Sequence, residues 1–319
     1  MRSINFLLLS AIITIFAASL TFSQVRPPVP RASQKASVSQ TVGTTEISVI
    51  YSRPAVRDRK VWGDWPQPAE GEATLDNQNT RPEGAPLVPF GHVWRAGANE
   101  ATLFSAADDV LINGELLPAG KYSFHAIPGK DEWILIFNKD DGQWGSFSYD
   151  KAKDALRVKT KPQSVSESAE LLTYGFEKVG DRSATLFLQW EKVKVPFTVE
   201  VKDVVGSTMQ RLRSYVAAAD ASDPVPLINA ANYAKANKQA EQAAVWFTAA
   251  LKLVDQQIAA KPSFAALTRK GHILIGLDRT ADAIAVFETA VERGKLDGVN
   301  AADVAALEKR IASLKTAKP

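Results

Sequence analysis

The chain has 319 residues, 38 Lys and Arg against 35 Asp and Glu, and a formal net charge of +3, a length with room for two domains. So mild and evenly spread a positive balance leaves no electrostatic footprint for nucleic acid or for an anionic membrane surface. Cysteine is absent, which excludes disulfides, thiolate zinc sites, a cysteine nucleophile and lipidation on cysteine.

In chain order, residues 1–23 come first: one positive charge at Arg2, an apolar run from Ile4 to Phe22, and small or hydroxyl residues at its end. This pattern predicts a signal peptide cut after Ser23, with Thr21 and Ser23 at the small-residue positions before the cut. The competing expectation is an uncleaved anchor, against which the polar Ser10, Thr14 and Ser19 weigh. The expected destination is the periplasm or the exterior, with no membrane span after cleavage. Residues 24–34, rich in proline, read as an extended tether.

From Lys35 to about Val201 the pattern is all-β. Strands are expected over 36–41, 46–52, 102–106, 110–112, 121–127, 132–138, 156–161, 169–178, 184–190 and 193–201, with turn signals between them, as in a sandwich or a partly open barrel. In the last of these, Val193, Val195, Phe197, Val199 and Val201 share a face opposite Lys192, Lys194 and Glu200, so one side is packed and the other wet. Pro196 points to an edge or a bulge there. Residues 133–137, WILIF, are apolar on both faces and predict a strand covered on both sides. Asn113-Gly114 and Pro128–Asp131 carry hairpin chemistry, and Asp140-Asp141-Gly142 a further reversal. Residues 64–86 have no periodicity, and a loop of that length is functional or disordered.

After Asp203 the composition turns Ala-rich, with a boundary near Gly206. Helices are expected over 208–219, 226–237, 240–260, 264–276, 281–293 and 301–314, with Gly294 as a stop and Asn300 as a start. Ala243, Phe247 and Ala250 recur forty positions later as Ala283, Phe287 and Ala290, and Ala231 matches Gly271. This spacing resembles the tetratricopeptide repeat, in which small residues let paired helices nest. The period exceeds that repeat's usual 34, so the second helix of the first pair should be extended. The fold class expected is therefore α+β multidomain: a β-sandwich over 35–203, then an all-α helical-hairpin domain over 206–319.

Arg53-Pro54, VPFGHVWRAGANEAT, LPAGKYSF, IPGKDEWILIFNKD, QWGSFSYD and ALRVKTKP stand in one order between Lys35 and Val201. In these motifs the chain resembles the bacterial exported family called domain of unknown function 2911. The resemblance implies secretion and a β-rich domain, and it carries over no activity and no catalytic residue. Residues 64–86 look like an insertion relative to that family.

The candidate ligand site gathers Tyr51, Arg53, Arg57 and Arg59 with Trp94, Arg95, Asn99 and Glu100. Arginine forks bind carboxylate, phosphate or sulfate, and tryptophan offers a face to a sugar or a cation, so a small anionic or glycan ligand is the expectation. The bland alternative is that these residues brace loops. An acid–base pair of Glu100 and His125, serving an envelope hydrolase or lyase, is the rival expectation; otherwise His125 is an exposed histidine. His92, His125 and His272 lack metal-ligand spacing, and no P-loop, nucleophile elbow or dinucleotide fingerprint occurs. No metal and no cofactor is expected. Trp133 and Trp190 read as core, while Trp62, Trp65 and Trp144 sit in polar, Gly-rich contexts that suggest exposure. On the helices, Asn232, Lys235, Thr268 and His272 map to the concave side, where a protein or peptide partner, such as an acidic tail, would lie. These features favour a non-catalytic binding protein; an assembly role for both domains is the remaining alternative.

Overall fold

The computed structural model describes residues 29–65 and 84–316; the expected signal peptide 1–23, the start of the expected tether and most of the 64–86 segment lie outside the described residues. In chain order the strands are β1 (Gln34–Val42), β2 (Thr45–Arg53), β3 (Trp62–Gly63), β4 (Val88–Pro89), β5 (Thr102–Ala106), β6 (Val110–Ile112), β7 (Glu115–Leu117), β8 (Gly120–Ile127), β9 (Trp133–Asn138), β10 (Asp154–Thr160), β11 (Gln163–Glu177) and β12 (Ser183–Val201). The helices α1 (Val204–Ala218), α2 (Val225–Ala236), α3 (Ala240–Ala260), α4 (Phe264–Gly276), α5 (Thr280–Leu296) and α6 (Ala301–Thr316) follow.

Two antiparallel sheets make the β-region, a six-stranded one in the order β1-β2-β5-β8-β9-β10 and a four-stranded one in the order β11-β12-β6-β7. Both are open sheets, so the sandwich holds and the barrel does not. Their alternating inner residues supply one core: Ile47 and Val49 from β2, Phe104 from β5, Tyr122 and Phe124 from β8, Leu135 and Phe137 from β9, and Leu186 to Val201 from β12. At its centre four indoles meet. Trp62 lies edge-on to Trp94, Trp133 and Trp190 at centroid distances of 5.6, 5.1 and 5.7 Å. Trp62 is thus half-buried against the core rather than exposed: its short strand β3 packs over the sandwich.

The strands β3, β4 and β7 were not expected, and β12 and β11 depart from the sequence reading in their extent. The segments 184–190 and 193–201 form one 19-residue strand, β12, which runs on through Glu191 at φ 52° while the bulges opposite it are taken up by extra residues of β11. Pro196 lies in the middle of that strand rather than at an edge. It falls between Lys194, the last partner of β11, and Val199, the first partner of β6, where no ladder needs its missing N–H. β11 extends back to Gln163 through polar residues exposed on both faces, which carry no alternation to read.

The ends of the 64–86 segment are held side by side. β3 and β4 pair in parallel, with Val88 N–H donating to Val61 O at 2.8 Å and Phe90 N–H to Gly63 O at 2.8 Å.

β12 runs into α1 through two residues, with Asp203 capping the helix by accepting from Gly206 N–H at 2.8 Å. Further contacts pin α1 to the sandwich: Thr44 to Thr208 at 3.0 Å and Arg211 to Asp108 at 2.7 Å. In the helical region the connections 237–239 and 277–279 are equivalent forty residues apart. Lys238 and Asp278 both adopt left-handed φ, 61° and 59°, and Gln239 N–H and Arg279 N–H close the same turn on Ala234 O and Leu274 O. α3 has 21 residues and α5 has 17, so the first hairpin is the extended one. Gly294 does not stop α5; it lies buried inside the helix, where a Cβ would sit 2.8 Å from Phe264 and 3.1 Å from Val304. Its lack of a side chain serves packing, not termination. Among the described residues no helix is long and apolar enough to cross a membrane.

Candidate functional site

The residues expected to form one ligand site on the β-region have separate duties. Tyr51 and Trp94 are core, 5% and 2% exposed. Tyr51 Oη accepts from Tyr174 N–H at 3.2 Å, and Trp94 Nε1 donates to Gly97 O at 3.1 Å. Arg53 bridges the two sheets, its Nε donating to Leu172 O at 2.9 Å and a terminal nitrogen to Thr173 Oγ1 at 2.7 Å. Arg59 donates to Val56 O and Ala55 O. Arg57, at φ 48°, turns the chain while its N–H donates to Glu170 Oε1 at 2.9 Å. Arg95 is half-buried. Two of the forks are therefore committed to backbone or hydroxyl acceptors, the bracing role weighed above.

Glu100 and Asn99 stand apart from these, at the end of β5 where Glu100 bridges Trp144. Arg31, from the proline-rich segment, reaches both carboxylate oxygens of Glu100 with one nitrogen, at 2.7 and 2.8 Å, and its guanidinium lies 5.7 Å from the centre of the Trp144 ring. Asn99, at φ 61°, donates to Ser33 O at 3.0 Å. Residues 31–33 are thus fastened to the sheet and not free tether. Burial alone would raise the Glu100 carboxyl, but the hydrogen bond and charge of Arg31, a backbone hydrogen bond and the charge of Lys35 together hold it below the ordinary carboxylate range. A depressed carboxyl stabilises its pair above its unfolded pKa and loses that contribution as the pH falls through the lower folded value. Trp144 emission should therefore change in a single acid step below the normal glutamate range as Arg31 is released. Arg31→Ala should abolish that step while leaving global stability within about 0.5 kcal/mol, because the pair is exposed and screened. An identical acid step in the variant would refute the assignment.

Beside Glu100 lies a small pocket of about 170 Å³ lined by Lys35, Ile50, Tyr51, Ser52, Glu100, Leu103, Asp141 and Gln143, among others. Gln143 is 6% exposed. Its Nε2 donates to Asp140 O at 3.2 Å and Asn138 Oδ1 at 3.4 Å. Of the expected residues, Tyr51 and Glu100 line this pocket; Lys35, Asp141 and Gln143 were not anticipated, though Gln143 lies within a motif already singled out.

His125 is enclosed, 0% exposed, not at the surface. It lies on the outer face of β8, beneath the 139–150 segment, with its ring 5.2 Å from that of Tyr149. Tyr149 belongs to a further network that sequence reasoning missed: its hydroxyl donates to Asp154 Oδ2 at 2.8 Å, Arg157 Nε donates to the same oxygen at 2.6 Å, and Asn138 Nδ2 donates to Asp154 Oδ1 at 2.8 Å. Burial, then the hydrogen bond and charge of Asp154, push the phenol far up, so it stays neutral.

The helical residues come together. Asn232 and Lys235 of α2 and Thr268 and His272 of α4 line one groove of about 590 Å³, with Val225, Ile228, Arg269 and Ile275. Lys235 Nζ donates to Gly276 O and Asp278 Oδ1, both at 2.7 Å, at the end of α4. Thr268 Oγ1 is buried without a hydrogen-bond partner among the described residues. The His272 ring meets Phe287 at 5.2 Å, and desolvation, then the charge of Arg310, lower its pKa. Among the described residues no cluster of three or more His, Asp or Glu is placed to hold a metal ion.

Residues 33–199, just over half of the chain, match the family model described as "Protein of unknown function (DUF2911)", and the chain belongs to that family. No curated protein and no solved structure matches it.

Proposed function

We propose that this member of the family is an exported, non-catalytic interaction protein whose tetratricopeptide-like helices hold an extended, acidic segment of a partner protein. The observation that carries the reading is the convergence of Asn232, Lys235, Thr268, Arg269 and His272, from the first helices of two successive hairpins, on one groove. Its charged lining residues are Arg269 and Lys235, the latter already paired with Asp278, and no carboxylate lines it, so charge favours an acidic occupant, with Arg269 as its main contact. The buried Thr268 hydroxyl supplies a seat for a backbone group. Export rests on the sequence of residues 1–23. A hydrolase or lyase would need Glu100 as an acid, yet its carboxyl is held ionised by Arg31, and His125 has no exposed surface.

The test is fluorescence anisotropy with a labelled hexaglutamate peptide. Binding should weaken with salt, and Arg269→Glu should weaken it at least about tenfold, since close charge pairs across an interface couple by more than 1.4 kcal/mol. If the peptide does not bind, or if Arg269→Glu leaves its affinity unchanged in folded protein, an acidic segment is not what the groove takes, and assembly through other surfaces becomes the better account.

A further inference from the structure

The pocket beside Glu100 lies on the outer face of the six-stranded sheet, walled by β1, β2 and β5 and by the turn at 140–143. Its polar lining is unbalanced. The Gln143 amide is fixed by its two acceptors, Asp140 O and Asn138 Oδ1, which require the nitrogen to face them. That orientation leaves Oε1 buried with no donor among the described residues, on a side chain that lines the pocket. A buried acceptor left unmet costs about 1–3 kcal/mol, so a donor from outside the chain is called for. Glu100 and Asp141 add two carboxylates to the same lining, and Lys35 is the cation facing them.

The chain itself displays what Glu100 accepts. Arg31 sets a guanidinium against the carboxylate and over the Trp144 ring, the two partners that recognise organic cations. Yet the side chains of Arg31 and Glu100 are 40% and 41% exposed. An ion pair that open is worth little, so a better-fitting cation can displace it.

We infer that this pocket binds an amino-acid-sized ligand, its ammonium or guanidinium group donating to Glu100 and Gln143 Oε1 and its carboxylate facing Lys35, with Arg31 acting as an in-chain competitor at the mouth. The volume, about 170 Å³, lies below that of drug-sized sites and limits the ligand to that class. This is the reverse of the anionic ligand expected from the arginine-rich motifs, and it does not depend on the helical groove.

The experiment is calorimetric titration of the full chain with L-arginine and, separately, with acetate. L-arginine should bind and acetate should not. Arg31→Ala should tighten L-arginine binding roughly two- to fivefold, the range an exposed ion pair can contribute. Glu100→Gln, isosteric and at the rim, should weaken it at least about tenfold by removing a charge-assisted acceptor, with an unchanged melting curve reporting that the fold is intact. The inference is overturned if L-arginine binds neither the parent chain nor Arg31→Ala, in which case Gln143 Oε1 meets only an ordered water, or if Glu100→Gln binds as tightly as the parent.

Discussion

Trp94→Ala should destabilise the β-region by about 3–5 kcal/mol, the range for truncating a large buried aromatic. Trp94 is 2% exposed, stacks on Trp190 at 6.0 Å with an interplanar angle of 18°, and meets Trp62 edge-on. Its backbone also exchanges both hydrogen bonds with Ala126, at 2.8 Å each, and its Nε1 closes the following turn on Gly97 O. The cavity left by alanine would be ringed by three rigid indoles on different strands, which cannot collapse into it cheaply. Equilibrium urea unfolding followed by near-ultraviolet circular dichroism measures the loss. Trp144→Ala, on a ring 41% exposed, should cost less than about 0.5 kcal/mol. Similar losses for the two variants would mean that the cluster is not the keystone of the sandwich.

Phe287→Ala should cost the helical region about 3–5 kcal/mol as well, and here a second substitution sharpens the argument. Phe287 is fully buried and lies over Gly271 so closely that a Cβ built there would be 2.2 Å from the phenyl ring. Gly271→Ala alone should therefore destabilise despite alanine's better helix propensity, because overpacking of this kind costs about 1–3 kcal/mol. Once the ring is gone, the same alanine has room. Gly271→Ala on the Phe287→Ala background should be neutral or stabilising, giving a coupling of about 1–3 kcal/mol in a double-mutant cycle. Thermal unfolding of the four proteins decides it: additive effects would show that the two residues do not share one space.

Which parts of this molecule could be read in advance follows from how far apart the interacting residues lie. α3 and α4 begin and end where the 3.6-residue pattern and its breakers put them, because helical signals are local. The Asn113-Gly114 hairpin likewise shows its turn in its two residues, both at positive φ, 48° and 90°. The groove residues were legible because the forty-residue repeat fixes a phase, and phase decides which face a side chain occupies. Strand partners are another matter. Arg53 carries the same fork whether it binds a ligand or braces Leu172, more than a hundred residues away. Trp62 sits among glycines and prolines in the sequence and among indoles in space. Arg31 offered no periodicity at all, and its pairing with Glu100 depends on a chain direction that only the docked segment sets.

The place of β12 in the second sheet bears on the order in which the molecule can take shape. This strand lies between β11 and β6 and ends at Val201. Pairing with β11 is local, a hairpin closed at 178–182, whereas pairing with β6 spans about ninety positions, from Val110 to Val201. A chain emerging from its N-terminus can assemble the six-stranded sheet once Thr160 is out, but its inner face stays uncovered until the final strand arrives. During that interval the apolar faces of β5, β8 and β9 are the vulnerable surface, since unfinished sheets are where chains associate wrongly. The helices that follow make contacts mostly between sequence neighbours and can form quickly on their own. The long-range closure by β12 is thus the step expected to be slow, and α1, clamped through Thr208 and Arg211 directly behind that strand, is the first helix able to hold it in place.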